Sequence, residues 1–175
     1  EATFRLYPLP YETRVLRFQA PNVARLGQLA LAVRDSTLTP VALQLIAGSG
    51  QAPVLDVHFE GLERALNDQA ERLLGLAAGT AQLDPPPAGF DARRQLWEGD
   101  PLAVAKVTFL PADLAWLCEQ VAAVPGAAGL RWQIVAQAVG TGLLRLDGDD
   151  SALVTAFGRL RTALEAREGA LVVLV

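Results

Sequence analysis

The sequence predicts an α+β fold built from two ferredoxin-like β-α-β-β-α units, with an antiparallel sheet on one side and helices on the other. Three observations carry this prediction. Segments with a period of two alternate with segments of helical period in one order, and that order occurs twice. The two copies share landmarks: "VLRF" followed by "PNVARL" matches "KVTF" followed by "PADLAWL", and "HFEG" before one helix matches "RLDG" before another. Gly61 and Gly148 stand 87 positions apart, and Phe18 and Phe109 stand 91 apart, so the offset is nearly constant across each copy.

Residues 13–19 (TRVLRFQ) alternate apolar and polar as a half-buried strand does. Pro21 is placed to open a helix whose Val23, Leu26, Leu29, Ala30 and Val33 fall on one face. "PVALQLIAG" and "APVLDVHFEG" read as two strands joined at Gly48-Ser49-Gly50. Residues 62–76 form an amphipathic helix with Leu62, Leu66, Ala70, Leu73 and Leu74 as its stripe. Residues 78–90 read as a linker, because Pro85, Pro86 and Pro87 interrupt regular structure.

The second copy begins with the strand "AVAKVTF" and a helix opened by Pro111. A hairpin turned at Gly140 and Gly142 follows. Next come a helix with Asp149, Asp150 and Ser151 in its capping region and a last strand, "ALVVLV". The domain reading is therefore 1–78 for the first repeat with a leading strand, 79–100 for a proline-rich linker and short helix, and 101–175 for the second repeat. A chain that opens on the alternating "ATFRLYPLP" and stops on a core strand is expected to be a fragment of a longer protein.

Composition narrows function. Hydrophobic residues make up 51% and charged residues 19% of 175, which is globular. A net charge of -4 and a pI near 5.0 disfavour a nucleic-acid surface. The chain has one lysine, Lys106, against fourteen arginines, and these are scattered. No apolar run reaches the roughly 20 residues of a membrane helix, so no direct membrane insertion is expected. No secretory leader pattern is visible, and the single Cys118 forms no intrachain disulfide. A cytoplasmic location follows as the expectation.

The stretch 46–61 (IAGSGQAPVLDVHFEG) holds the only histidine, His58, flanked by Asp56 and Glu60. Strand alternation puts these three on one face, about 6.5–7 Å apart, and Leu55, Val57 and Phe59 on the other. With no second histidine, and Gln44 the one polar side chain expected opposite, no metal site is expected. An acid–base role for His58 stays open beside the reading of a polar sheet face. The glycine loop precedes a strand, so no helix N-terminus is available for a phosphate. Cys118 sits among apolar helix positions as a buried small hydrophobe, and no serine has a nucleophile-elbow context. Arg93, Arg94 and Trp97, just after the prolines, could hold a carboxylate or stack on a ring. Residue chemistry alone supplies no self-sufficient active site.

The segments "EATFRLYPLP", "LAVRDSTLTPVALQL", "VHFEGLERALNDQAERL", "LW" and "KVTFLPADLAWL" resemble the C-terminal half of FAD-linked oxidases, most of all the FAD-binding subunit of bacterial glycolate oxidase. The likeness spans essentially the whole chain. The particular motifs are "RLYPLP", the Ser36-x-Leu38-x-Pro40 step and Phe59-Glu60-Gly61 before a helix. The resemblance implies the substrate or cap domain of an FAD-dependent oxidoreductase acting on a 2-hydroxy acid such as glycolate. It implies FAD held by an upstream flavin domain, and electrons passing to other oxidase subunits, including an iron–sulfur subunit. Such a complex would be cytoplasmic, or peripheral to the inner membrane through its partners. The histidine-rich motifs of related larger flavin subunits are missing, so this chain alone is expected to be inactive, with no cofactor-binding residues identified. A cap sheet over a flavin would need a polar, partly cationic face. The substrate-facing candidates are Arg131, Gln133, Arg145 and His58 on strands, with Arg94 and Trp97 after the linker. Two other classes compete: a free-standing ligand-binding module, and a subunit-assembly module using an exposed strand edge.

Overall fold

The computed structural model describes residues 12–88, 90–99, 103–124 and 130–175. The expected leading strand "ATFRLYPLP" lies outside the described residues. In chain order the elements are β1 (Glu12–Gln19), α1 (Val23–Arg34), β2 (Ala42–Gly48), β3 (Gln51–Gly61), α2 (Glu63–Leu76), β4 (Ala81–Leu83), α3 (Ala92–Gln95), β5 (Ala103–Thr108), α4 (Leu114–Ala122), β6 (Arg131–Gln137), β7 (Thr141–Asp147), α5 (Asp150–Glu165) and β8 (Ala170–Val173). The eight strands of the described residues join one sheet in the order β4-β1-β3-β2-β6-β7-β5-β8, and every neighbouring pair is antiparallel.

Read outward from the centre, the halves are β2-β3-β1-β4 and β6-β7-β5-β8. Each half is a β-α-β-β-α-β unit with the same internal strand order, and the two meet along β2 and β6. Strands β2 and β6 occupy equivalent places 89 positions apart. Their pairing is symmetric: Gln44 faces Gln137, Ile46 faces Val135 and Gly48 faces Gln133. Exchanging the repeats maps this pairing onto itself, so a pseudo-twofold axis passes through the Ile46–Val135 pair.

Alternation along the strands explains the layers. Leu16, Phe18, Leu45, Leu55, Val57, Phe59, Ile134, Leu144 and Leu146 point to the face covered by α1, α2, α4 and α5, where all are buried in one core. Helix α1 contributes Leu26, Leu29, Ala30 and Val33, α4 contributes Leu114, Leu117, Cys118 and Val121, and α5 contributes Phe157, Leu160 and Leu164. Each fully buried Leu or Phe side chain contributes about 1.5–3 kcal/mol.

Several expectations change in detail. Asn22, not Pro21, starts α1, because its side-chain oxygen accepts from the Arg25 N–H at 3.0 Å. In α2 only Leu66 and Leu73 are buried; Leu62 lies before the first turn, and Leu74 turns off the packed stripe, so both are exposed. The segment read wholly as linker contains β4, a three-residue strand on β1 that completes the first repeat. Gly140 makes the β6–β7 turn with φ 92°, whereas Gly142 lies inside β7, against Ala136 of β6. The one-turn α3 sits on the sheet face opposite the four long helices, where Ala92 and Leu96 bury against Ile46, Val104, Val135 and Leu143.

Candidate functional site

The face opposite the long helices carries the polar strand positions. One row across it runs Arg17, Asp56, Gln44, Gln137 and Thr141. The next runs Val54, Ile46, Val135, Leu143 and Lys106. The segment joining the repeats crosses this face: Phe90 lies on the Arg17 guanidinium at 5.2 Å, and α3 covers the central apolar row. A chain leaving β4 at one sheet edge must reach β5 near the other, and the buried Leu96 fixes its path.

Beside α3 lies a cleft of about 480 Å³. Asp91, Arg93, Arg94 and Trp97 border it from the crossing segment, and Lys106, Gln137, Thr141, Leu143 and Leu174 from the sheet. The Asp91 carboxylate caps α3, accepting from the backbone N–H of Arg93 at 2.9 Å and of Arg94 at 3.3 Å. Among the described residues the ion pairs are Arg17–Asp56, Arg34–Asp35, Arg72–Asp68, Arg145–Asp147 and Arg167–Asp113. None uses Arg93, Arg94 or Lys106. Among the described residues three cations thus border a cleft whose one carboxylate, Asp91, caps α3. Arginine suits a carboxylate bidentately, and the half-exposed Trp97 supplies an apolar wall. This arrangement can bind and orient a small anion. It offers no histidine, cysteine or serine for proton transfer or nucleophilic attack.

Arg131, Gln133 and Arg145 come together in a separate recess of about 270 Å³ with Ser49, Gln51 and Asp147. Arg145 is already engaged there: its Nε donates to both Asp147 oxygens, at 2.9 and 3.0 Å, and its Nη1 donates to the carbonyls of Leu96 and Glu98. It therefore ties the segment after α3 to β7. Arg131 faces Asp147 across the β6–β7 pair and is exposed. His58 borders neither recess; it is half-buried between Val15 and Ala42. Its neighbour Asp56 is not on a solvated face but fully buried and paired with Arg17.

The structure thus joins Arg94 with Trp97, joins Arg131 with Gln133 and Arg145, and leaves His58 apart. Sequence reasoning missed Lys106, Gln137 and Thr141 as walls of the Arg94 cleft. Alternation in "AVAKVT" does put the sole lysine on the face opposite Ala103, Ala105 and Val107, but only the strand order carries it to α3. Among the described residues no group of three His, Cys, Asp or Glu side chains could hold a metal ion. No helix of the described residues is long and apolar enough to cross a membrane. The glycine loop at Gly48-Ser49-Gly50 turns between two strands and not into a helix, so it presents no helix N-terminus to a pyrophosphate.

No family model and no curated protein matches the chain. Among solved structures it is similar to alkyldihydroxyacetonephosphate synthase in a P212121 crystal form, with a TM-score of 0.65 and 11% identity over 93% of this chain and 41% of that one. The same protein in a P1 form gives a TM-score of 0.65 and 12% identity, over 94% and 40%. The shared property is the fold. The chain spans about two-fifths of the length of the protein it resembles.

Proposed function

We propose that this chain is the substrate or cap domain of an FAD-dependent oxidoreductase subunit acting on a 2-hydroxy acid such as glycolate. The resemblance in sequence motifs to FAD-linked oxidases is joined by one observation: over 93% of its length the chain folds like part of alkyldihydroxyacetonephosphate synthase, and its open sheet face bears Arg93, Arg94 and Lys106 beside Trp97, none of the three cations in an ion pair among the described residues. FAD belongs to an upstream flavin domain of the same protein, and electrons leave it for other oxidase subunits, including an iron–sulfur subunit. The complex sits in the cytoplasm or at the inner membrane through those partners. This chain's own task is then to bind the substrate carboxylate and orient it, with Arg94 and Lys106 as charge partners and Trp97 excluding water. Arg131 and Gln133 form a second polar recess on the same face, and His58 is a further substrate-facing candidate. A free-standing ligand-binding or subunit-assembly module without catalysis is the second reading, and the cluster of Arg93, Arg94 and Lys106 would then serve an anionic ligand.

Absorption spectra of this chain and of the same protein with its flavin domain test the proposal. The longer form is expected to be yellow and to bleach with glycolate, and Arg94→Ala to raise the KM at nearly constant kcat. A colourless longer form sinks the oxidase reading. A yellow one whose KM ignores Arg94→Ala and Lys106→Ala removes the cleft from the substrate path.

A further inference from the structure

The two edges of the sheet differ sharply. At one end β4 is three residues long and runs into Asp84 and Pro85–Pro87, which block further pairing. At the other end β8 pairs with β5 on one side, and its sequence through Val175 contains no charge, proline or glycine. The Leu174 N–H donates inward to the Val104 carbonyl at 2.8 Å, so by strand alternation the N–H of Val173 points to the edge that no strand of the described residues occupies. Val172, Val173, Leu174 and Val175 are all substantially exposed.

Helix α5 lies along this edge and encloses with it an apolar groove of about 610 Å³, bordered by Leu153, Val154, Phe157, Gly158, Val173 and Val175. Asp150, at the first turn of α5, and Arg161, about three turns further on, both border the groove. Asp150, Val154, Gly158 and Arg161 follow helical spacing and form one stripe. Val154 is 74% exposed, and a side chain at Gly158 would meet nothing within 4 Å, so this glycine is not required by the packing of this chain. Among the described residues neither Asp150 nor Arg161 takes part in an ion pair.

We infer that this edge is an isologous interface: β8 and α5 pair with β8 and α5 of a second copy of the chain across a two-fold axis. Such an interface must be complementary to itself, and this stripe is. When two α5 helices run antiparallel with Asp150 of one copy opposite Arg161 of the other, Val154 falls opposite Phe157, and Gly158 lets the helices approach closely. Phe157 and Val173 border the same groove, so α5 and the end of β8 lie side by side along it. An uncharged edge has no like-charge cost in antiparallel self-pairing, and joining two β8 strands satisfies the outward backbone groups of both. A strand added by an unrelated chain would use the edge but has no need of a stripe that is acidic at one end and basic at the other.

Sedimentation of the 175-residue chain at micromolar concentration tests this, and its readout is independent of flavin or glycolate. The expected mass is twice 18.6 kDa. Val154→Glu, at an exposed position, should leave the circular dichroism unchanged and give a monomer. Asp150→Arg should weaken dimerisation about tenfold or more by placing like charges together at both ends, and Asp150→Arg with Arg161→Asp should restore it. A wild-type monomer throughout the concentration range overturns the inference. So does a dimer indifferent to Val154→Glu, or one that the double exchange fails to rescue.

Discussion

Arg17 on β1 and Asp56 on β3 meet as a bidentate ion pair, Nε to Oδ1 and Nη2 to Oδ2, both at 2.7 Å. The Asp56 side chain is 1% exposed and that of Arg17 16%, and Phe90 lies over the guanidinium. The hydrogen bond to Asp56 raises the Arg17 pKa further above its ordinary value, outweighing the lowering by burial. Removing one partner leaves a buried charge alone. Arg17→Ala should therefore lower unfolding free energy by about 3–5 kcal/mol in urea titration, whereas replacing both partners, Arg17→Met with Asp56→Leu, should recover most of it. A loss under about 1 kcal/mol for Arg17→Ala would mean water reaches Asp56 freely.

Arg145 holds Trp97 in place from a distance. Its contacts to the Leu96 and Glu98 carbonyls fix the end of the crossing segment, while Asp147 holds the guanidinium. Arg145→Gln should free that segment and speed tryptic cleavage after Arg93 and Arg94 several-fold, with the slope of the urea transition unchanged. Equal cleavage rates in the two proteins would show that burial of Leu96 alone secures the segment.

Cys118 should be inert in the native chain. Burial first, and then the nearby Glu119 charge, push its thiol from 9.0 up to about 12. The folded pKa lies above the unfolded one, so this group's stabilisation is complete below about pH 9 and is lost as pH rises towards 12. Thiol reagents at pH 8 should label Cys118 only on unfolding. Cys118→Ala should show a shallower fall in stability between pH 9 and 12 than the parent; identical slopes would contradict the assignment.

Two glycine substitutions should have opposite signs. Gly140 has φ 92°, and a Cβ there would collide with the Phe109 carbonyl, so Gly140→Ala should cost about 1–3 kcal/mol. Gly27, inside α1, has nothing within 4 Å of an added Cβ, and Gly27→Ala should stabilise by about 0.5–1 kcal/mol. Thermal melts of the two variants decide both. A stabilised Gly140→Ala would mean that the β6–β7 turn accepts another conformation.

The candidate site was legible in its parts and not in its grouping. "DARRQLW" reads as a short helix with two arginines and a tryptophan, and the structure puts Arg94 and Trp97 on one cleft. Arg145 was legible as a polar strand residue, but its partners Leu96 and Glu98 lie nearly fifty positions away. Asp56 looked solvated because alternation assigns it to the polar face; its burial comes from Arg17 and Phe90, which no local pattern around it reports.

What the sequence by itself determined is the order of elements, their duplication, and which side of each strand is apolar. These depend on periods of 2 and 3.6 and on nearby glycines and prolines, all local properties of the chain. Tertiary structure alone decided that β2 and β6 join the repeats, that residues 81–83 pair as an edge strand, and that the crossing segment brings Arg93 and Arg94 over Lys106. Alternation fixes a side chain's face but not its lateral neighbour. Lateral order follows from which apolar surfaces bury together across long stretches of chain.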